Sequence, residues 1–257
     1  MREYWEERHG HEPSLSTVGW MGLGPSFNDW MYRVRRLIFL RTAKPLVHDS
    51  MSVLDVGAGS GFYIDLWSKL GAEQIAGADL TDTSVAYLRK RYPSCTFQRC
   101  DVSDAIVPFP NNSYDVISAM DVLFHITDDE RYARSFVNFY RLLRPGGALL
   151  FTDNFLHGQT LRAERQVSRS LKEIETVVRA AGFSVIDRRP LFFFMNTPVD
   201  SSNYLLRAQW NTVQKIITRN ETFAHIAGAM LYPLELLATH VFQEGPSTEL
   251  MLCRRDG

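Results

Sequence analysis

The stretch Val53–Tyr63, VLDVGAGSGFY, constrains this chain more than any other. An apolar run carrying one aspartate enters three glycines at alternate positions, Gly57, Gly59 and Gly61. FYIDLWSKL follows, with its apolar residues spaced for a helix and Gly71 as its stop. The unit therefore reads strand, glycine loop, helix. Glycine lets the backbone turn sharply and lets a ligand approach where a Cβ would stand. A loop of this kind also presents backbone N–H groups beside a helix N-terminus, which suits nucleotide-like ligands.

The same alternation continues down the chain. Strands are expected at Ser52–Val56, Gln74–Asp79, Thr96–Cys100, Ser113–Ala119, Ala148–Asp153 and Phe183–Asp187. Helices are expected at Phe62–Leu70, Thr83–Arg91, Asp128–Leu143 and Leu171–Ala181, the third ended by Arg144-Pro145-Gly146-Gly147. Thr248–Arg254 reads as a last strand, and Phe192–Met195 as a buried strand continuation. Strand–helix alternation predicts an α/β fold, Rossmann-like and doubly wound, with a mostly parallel seven-stranded sheet and helices on both faces.

Two segments leave that rhythm. Residues 1–45 hold Tyr4, Trp5, Trp20, Phe27, Trp30 and Tyr32 and read as an aromatic-rich helical lid. Residues 200–242 read as a helical insertion before the last strand, a substrate lid or a homodimer contact. Between them lies a ligand-binding core, 46–199, with 243–257 returning to it. In the insertion, Pro233 and Glu235 interrupt an apolar run too short to span a bilayer. Lys and Arg number 28 against 29 Asp and Glu, which argues against an obligate nucleic-acid binder. Cys95, Cys100 and Cys253 form no CxxC and read as free thiols. With an N-terminus that lacks a signal peptide's apolar run, they predict a cytoplasmic protein.

The glycine spacing separates candidate ligands. A dinucleotide loop wants GxGxxG, and its third glycine falls on Phe62; a GxxxxGK[ST] phosphate loop is absent. VLDVGAGSGFY resembles motif I of the class I S-adenosylmethionine-dependent methyltransferases, in their small-molecule branch. Further signatures follow in order: Asp79 in GADL, 24 residues after Asp55; Asp101 in RCDVSD; DVLFHI at 121–126; and RLLRPGGALLFTD at 141–153.

The resemblance, which covers roughly residues 50–190, implies S-adenosylmethionine as cofactor. It places the amino-acid end against Gly57, Ala58, Gly59, Gly61 and Phe62, with Asp55 and Asp121 orienting it beside Met120. The ribose goes to Asp79 and the adenine to Asp101, sandwiched by Leu80 and Val102. Tyr4 and Trp5 cover the site. Asp55 reads equally as a loop anchor.

Methyl transfer from a sulfonium needs a nucleophile held close and in line. An oxygen nucleophile also benefits from a base, while an unprotonated amine needs none. His125, after strand four, and His157, after strand five with Asp153 and Asn154, are the candidates. His9 and His11, near the start, and His225 and His240, in the insertion, read as solvent-facing or core-filling. The histidines are too scattered for a metal cluster. Trp20, Phe27, Trp30 and Tyr32 either line an apolar acceptor pocket or pack the added helix on the core. Arg33, Arg35, Arg36 and Arg41 read as a solvated helix face or a grip on an anionic group. The place of the tetrapeptide that marks amino-directed base methylation in the family holds AMDV, 119–122. The expected activity is therefore methylation of a small molecule, at oxygen before nitrogen. A protein or RNA methyltransferase and a non-catalytic cofactor-binding scaffold are the alternatives.

Overall fold

The computed structural model describes residues 1–10 and 13–257, and for Ser16, Thr17 and Met21 the backbone alone. His11 lies outside the described residues. In chain order the elements are α1 (Arg2–His9), α2 (Leu15–Val18), α3 (Gly24–Ala43), β1 (Ser52–Val56), α4 (Phe62–Leu70), β2 (Gln74–Asp79), α5 (Asp82–Arg91), β3 (Thr96–Arg99) and β4 (Tyr114–Ala119). There follow α6 (Asp129–Leu142), β5 (Leu143–Asp153), β6 (Leu161–Arg162), β7 (Val167–Ser168), α7 (Leu171–Ala180), β8 (Phe183–Pro190), α8 (Tyr204–Ile217), α9 (Glu221–Val241) and β9 (Glu249–Arg255).

Seven strands form one sheet in the order β3-β2-β1-β4-β5-β9-β8. β1 to β5 are mutually parallel, and β9 runs antiparallel to both β5 and β8. All five residues of β1 are buried, as a strand covered by helices on both faces requires. One core packs α6 and α7 on one face through Phe136, Phe139 and Ile174; another packs α3 and α4 on the opposite face through Phe39, Ile64 and Trp67. Strand order reverses between β1 and β4, and open parallel sheets bind ligands outside such a point.

Helix ends follow local chemistry. The Thr81 hydroxyl accepts from Ser84 N–H to start α5, and Asp128 accepts from Arg131 N–H to start α6. Ser170 and Glu173 make a reciprocal capping box on α7. Gly71 closes α4 in the left-handed region at φ 92°.

Several expectations need correction. β5 begins at Leu143: Arg144-Pro145-Gly146-Gly147 lie within the strand as an outward irregularity, because pairing jumps from Tyr114↔Leu143 to Val116↔Ala148. Phe192–Met195 is not a strand. The chain leaves the sheet after Pro190, and the N–H groups of Phe193, Phe194 and Met195 turn to the carboxylate of Glu235. Pro233 lies inside α9 without ending it. The short β6–β7 hairpin carried no sequence signal long enough to read. Of the four aromatics read either as pocket lining or as core packing, Phe27 is buried in a third core against Trp210, Trp20 lies over Trp210, Trp30 packs on His225 and Tyr232, and Tyr32 alone of the four lines the cavity. A Cβ on Gly228 would come within 2.3 Å of Trp30, so α3 and α9 meet there backbone to ring. Among the described residues no helix is long and apolar enough to cross a membrane.

Candidate active site

The glycine loop is fixed from below before any ligand is considered. Gly57 and Ala58 N–H both donate to the Ala78 carbonyl, at 2.8 and 3.0 Å. Gly59 N–H donates to Asp79 Oδ2 at 2.9 Å. Gly57 sits at φ 74°, and a Cβ there would stand 2.2 Å from Val122. Asp79 is buried, and its other oxygen accepts from the N–H and hydroxyl of Thr81. Asp79 thus braces the loop as well as facing the cavity.

The loop borders a cavity of about 440 Å³ over the carboxyl ends of β1, β2 and β4. Gly57, Ala58, Gly59, Phe62, Asp79, Leu80, Asp101, Val102, Met120, Asp121 and His125 all line it, together with Tyr4, Trp5 and Tyr32. Two residues expected at the cofactor do not. Gly61 is the N-cap of α4 and backs onto Tyr92, with φ 82°. Asp55 lies beneath the loop: Oδ1 accepts from Ser118 at 2.6 Å, and Oδ2 has no partner. Burial pushes Asp55 up to about 7, with Ser118 opposing and Asp79 adding to the rise.

Asp101 Oδ1 accepts from Ser103, and Oδ2 takes Arg131 at 2.8 Å. Asp121 adopts φ 60°, uncommon outside glycine, and its N–H donates to Thr152 Oγ1 at 2.7 Å. Arg35 reaches across from α3 to its carboxylate. Burial works against the charge on Arg35, and Asp121 more than restores it. Arg35 is therefore no solvated residue; Arg33 lies over the Trp30 ring and Arg36 over Phe62. Beside this pair, Tyr63 also borders the cavity, and its buried hydroxyl has no partner.

The roof comes from α1 and the tip of the β6–β7 hairpin. Arg165 lies over the Tyr4 ring at 4.5 Å, and Trp5 meets His125 edge-on at 5.1 Å. Glu6 accepts from Asp82 N–H and the Thr83 hydroxyl, which pins α1 to the start of α5. His9 is buried and lines the cavity, with Nδ1 at 2.8 Å from Ser84 Oγ.

His125 Nδ1 lies 3.0 Å from the Arg165 carbonyl. A carbonyl only accepts, so Nδ1 carries the proton and a neutral ring leaves its lone pair on Nε2. Burial, offset in part by that carbonyl and Asp121, lowers the His125 pKa and keeps the ring neutral. His157 is elsewhere. It does not line the cavity; its Nδ1 sits 2.5 Å from Asp200 and its Nε2 3.3 Å from Glu244, half exposed. Asp153 is buried against Tyr132, and Asn154 bonds Ser168 and Thr248, so neither faces the cavity.

The comparisons with known proteins agree with this geometry. The family profile described as "Methyltransferase domain" matches residues 54–151, from β1 to β5. Over those residues the chain is similar to a methyltransferase domain, and the strand order and glycine loop fit that likeness. A probable S-adenosylmethionine-dependent methyltransferase of Mycolicibacterium smegmatis is 26% identical over 175 residues, covering 66% of this chain and 65% of that protein. The chain thus spans just under two thirds of that relative's length. A Haemonchus contortus phosphoethanolamine N-methyltransferase, solved with phosphomonomethylethanolamine and S-adenosylhomocysteine, shares the fold at TM-score 0.58 and 20% identity, over 98% of this chain and 56% of that one. The [4+2]-cyclase SpnF shares it at TM-score 0.57 and 18% identity, over 86% and 81%. One of these neighbours is named for a cyclisation, so the methyltransferase fold does not by itself name a reaction.

S-adenosylmethionine is the cofactor of such a domain, and the residues present fit it. The loop takes no Cβ at Gly57, two buried polar atoms at Asp55 and Tyr63 lack partners beside it, and acids end β2 and follow β3 at the cavity. Tyr63, Arg131 and the 164–165 hairpin tip carry no reading in the sequence; Arg35, read as a solvated helix face or an anion grip, pairs with Asp121, and His9, read as solvent-facing or core-filling, lines the cavity. Tyr63 stood inside the quoted motif, where its hydroxyl was the available signal; nothing in the run from Arg33 to Arg41 sets Arg35 apart.

Proposed function

We propose that the protein transfers a methyl group from S-adenosylmethionine to a small-molecule acceptor, at oxygen in preference to nitrogen, with His125 as the general base. The observation that carries this reading is the His125 ring: neutral, at the cavity, with its Nε2 lone pair left open by the Arg165 carbonyl.

The cofactor supplies an electrophilic methyl whose thioether leaving group needs no acid. Gly57, Ala58 and Gly59 hold its amino-acid end, with Asp121, beside Met120, orienting the ammonium. Asp79 accepts the ribose hydroxyls through the lone pairs that Gly59 and Thr81 leave over. Asp101, held in place by Arg131, receives the adenine amino group between Leu80 and Val102. Phe62 closes one side, and Tyr4 and Trp5 exclude water from above. Asp55 acts from below as the loop's anchor. His125 Nε2 would take the acceptor's hydroxyl proton, while the methyl would come from the bound cofactor, its sulfur–carbon bond breaking as the oxygen–carbon bond forms.

A small acceptor is favoured because α1 and the hairpin tip roof the cavity. The cavity volume of about 440 Å³ is in the range of small-ligand sites. No charge excess favours a nucleic acid.

Calorimetry with S-adenosylhomocysteine and with NAD tests the cofactor assignment, and methyl release to a panel of phenols and amines tests the reaction. His125→Ala should lower turnover of a phenol by roughly 10²–10⁴-fold, the scale of general-base catalysis, with S-adenosylhomocysteine affinity kept. Binding of NAD in place of S-adenosylhomocysteine would overturn the reading. Tight S-adenosylhomocysteine binding without transfer to any acceptor would favour a scaffold role.

A further inference from the structure

α9 turns Ala224, Gly228, Glu235, Ala238 and Thr239 inward. Its opposite side carries Phe223, Ile226, Met230, Leu234, Leu237 and Val241, each 43–69% exposed. Steps of three or four residues keep these six on one line of a helix. At about 1.5 Å per residue the line runs roughly 27 Å. Across residues 222–243 the only Asp, Glu, Lys or Arg is Glu235, and Glu235 is buried. Water therefore meets an uncharged apolar stripe along the whole outer face of α9.

We propose that this stripe is the contact between two copies of the chain, with their α9 helices antiparallel about a twofold axis near residue 232. A twofold contact uses one patch on both partners, so the patch must complement itself. This one does. Phe223 falls opposite Val241, Ile226 opposite Leu237 and Met230 opposite Leu234. No pair sets like charges against each other, and no end of the stripe differs in chemistry from its counterpart.

The area also fits. With side chains on the order of 150–250 Å² each, the exposed parts of the six come to roughly 600 Å². That is already the upper end of an isolated monomer's largest apolar patch. It is about three quarters of the ~800 Å² per partner of a stable interface before any flanking residue is counted. A bilayer surface is the less suited occupant. Helices that lie on membranes carry Lys and Arg along the polar flank, and the exposed part of α9 has neither. The pairing rests on neither the cofactor nor the transfer reading.

Sedimentation velocity on the whole chain tests it. The expected species at micromolar concentration is twice the 29.4 kDa chain. Met230→Glu with Leu237→Glu places four carboxylates in the joint and should raise the dimer dissociation constant at least about a hundredfold. Far-ultraviolet circular dichroism would confirm that the variant remains folded. Independently, Leu234→Cys treated with a short bismaleimide should yield a covalent dimer, while Arg179→Cys, on α7, should not exceed the background of the natural cysteines. A chain that stays monomeric at 100-fold higher concentration overturns the proposal. So does a doubly substituted, folded variant that still pairs, or a monomer that floats with phosphatidylcholine vesicles.

Discussion

Arg35 Nε lies 2.8 Å from Asp121 Oδ2, so the middle of α3 is tied to the residue that leaves β4 in a left-handed conformation. The contact crosses from outside the matched domain into the centre of the cavity. Both groups are largely buried, and a buried charge left without its partner is costly. Arg35→Met should weaken S-adenosylhomocysteine binding about 10- to 100-fold by calorimetry. Arg35→Lys should recover little, since a single ammonium does not reproduce the guanidinium's fixed geometry. Unchanged affinity in both variants would separate this pair from the cofactor.

Tyr63 offers a sharper readout. Its hydroxyl is buried at the cavity edge without a partner, beside the loop proposed to hold the amino-acid end. Tyr63→Phe should reduce affinity for S-adenosylhomocysteine roughly 10- to 150-fold, the scale of one hydrogen bond to a charged group. Affinity for 5′-methylthioadenosine, which lacks the amino-acid end, should hold. Equal losses for both ligands would mean that the hydroxyl serves the fold instead.

His125 sets an acid limb. Its pKa is lowered chiefly by burial, so the neutral base persists below the ordinary histidine value near 6.5. The sign is that activity is full above that value and falls only as pH drops through the lowered pKa. The same shift makes the folded chain bind this proton less readily than the unfolded chain. The linked stability is therefore present above the ordinary value and lost as pH falls. A profile of kcat/KM that breaks on the acid side below 6.5, and a His125→Asn variant without that break, would agree with this. A wild-type break above 7 would not.

Glu235 joins α9 to the segment after β8 by accepting from three consecutive backbone N–H groups. Glu235→Gln keeps the size but turns an NH₂ toward donors. Leaving buried N–H groups unpaired costs about 2 kcal/mol, which should lower Tm by roughly 4–8 °C for a chain of this length. Differential scanning calorimetry reads the effect; an unshifted Tm would show that the amide finds other acceptors.

The sheet was legible because β1, β2 and β4 are short apolar runs separated by glycine stops and capped helices, all local signals. What escaped was set by tertiary contact. Phe192–Met195 has a strand's composition, yet the amides of Phe193, Phe194 and Met195 are taken by a glutamate about 40 residues away. Arg144–Gly147 reads as a turn, and sheet pairing on both sides absorbs it as a bulge. The cofactor acids were visible because they end strands at fixed places. His125 and His157 looked alike in sequence; only the fold puts one beside the cavity and the other between two surface carboxylates. Arg35 needed the crossing of α3 over β4, which no local pattern encodes.

Asp79 holds Gly59 and Thr81 while still facing the cavity. The chain's own carboxylate thus braces the backbone that would meet the nucleoside, which favours binding with little reorganisation. Capture should then approach rigid docking, with one kinetic phase. Removing that single carboxylate would replace it with two, a slow reshaping of the backbone ahead of a weakened grip.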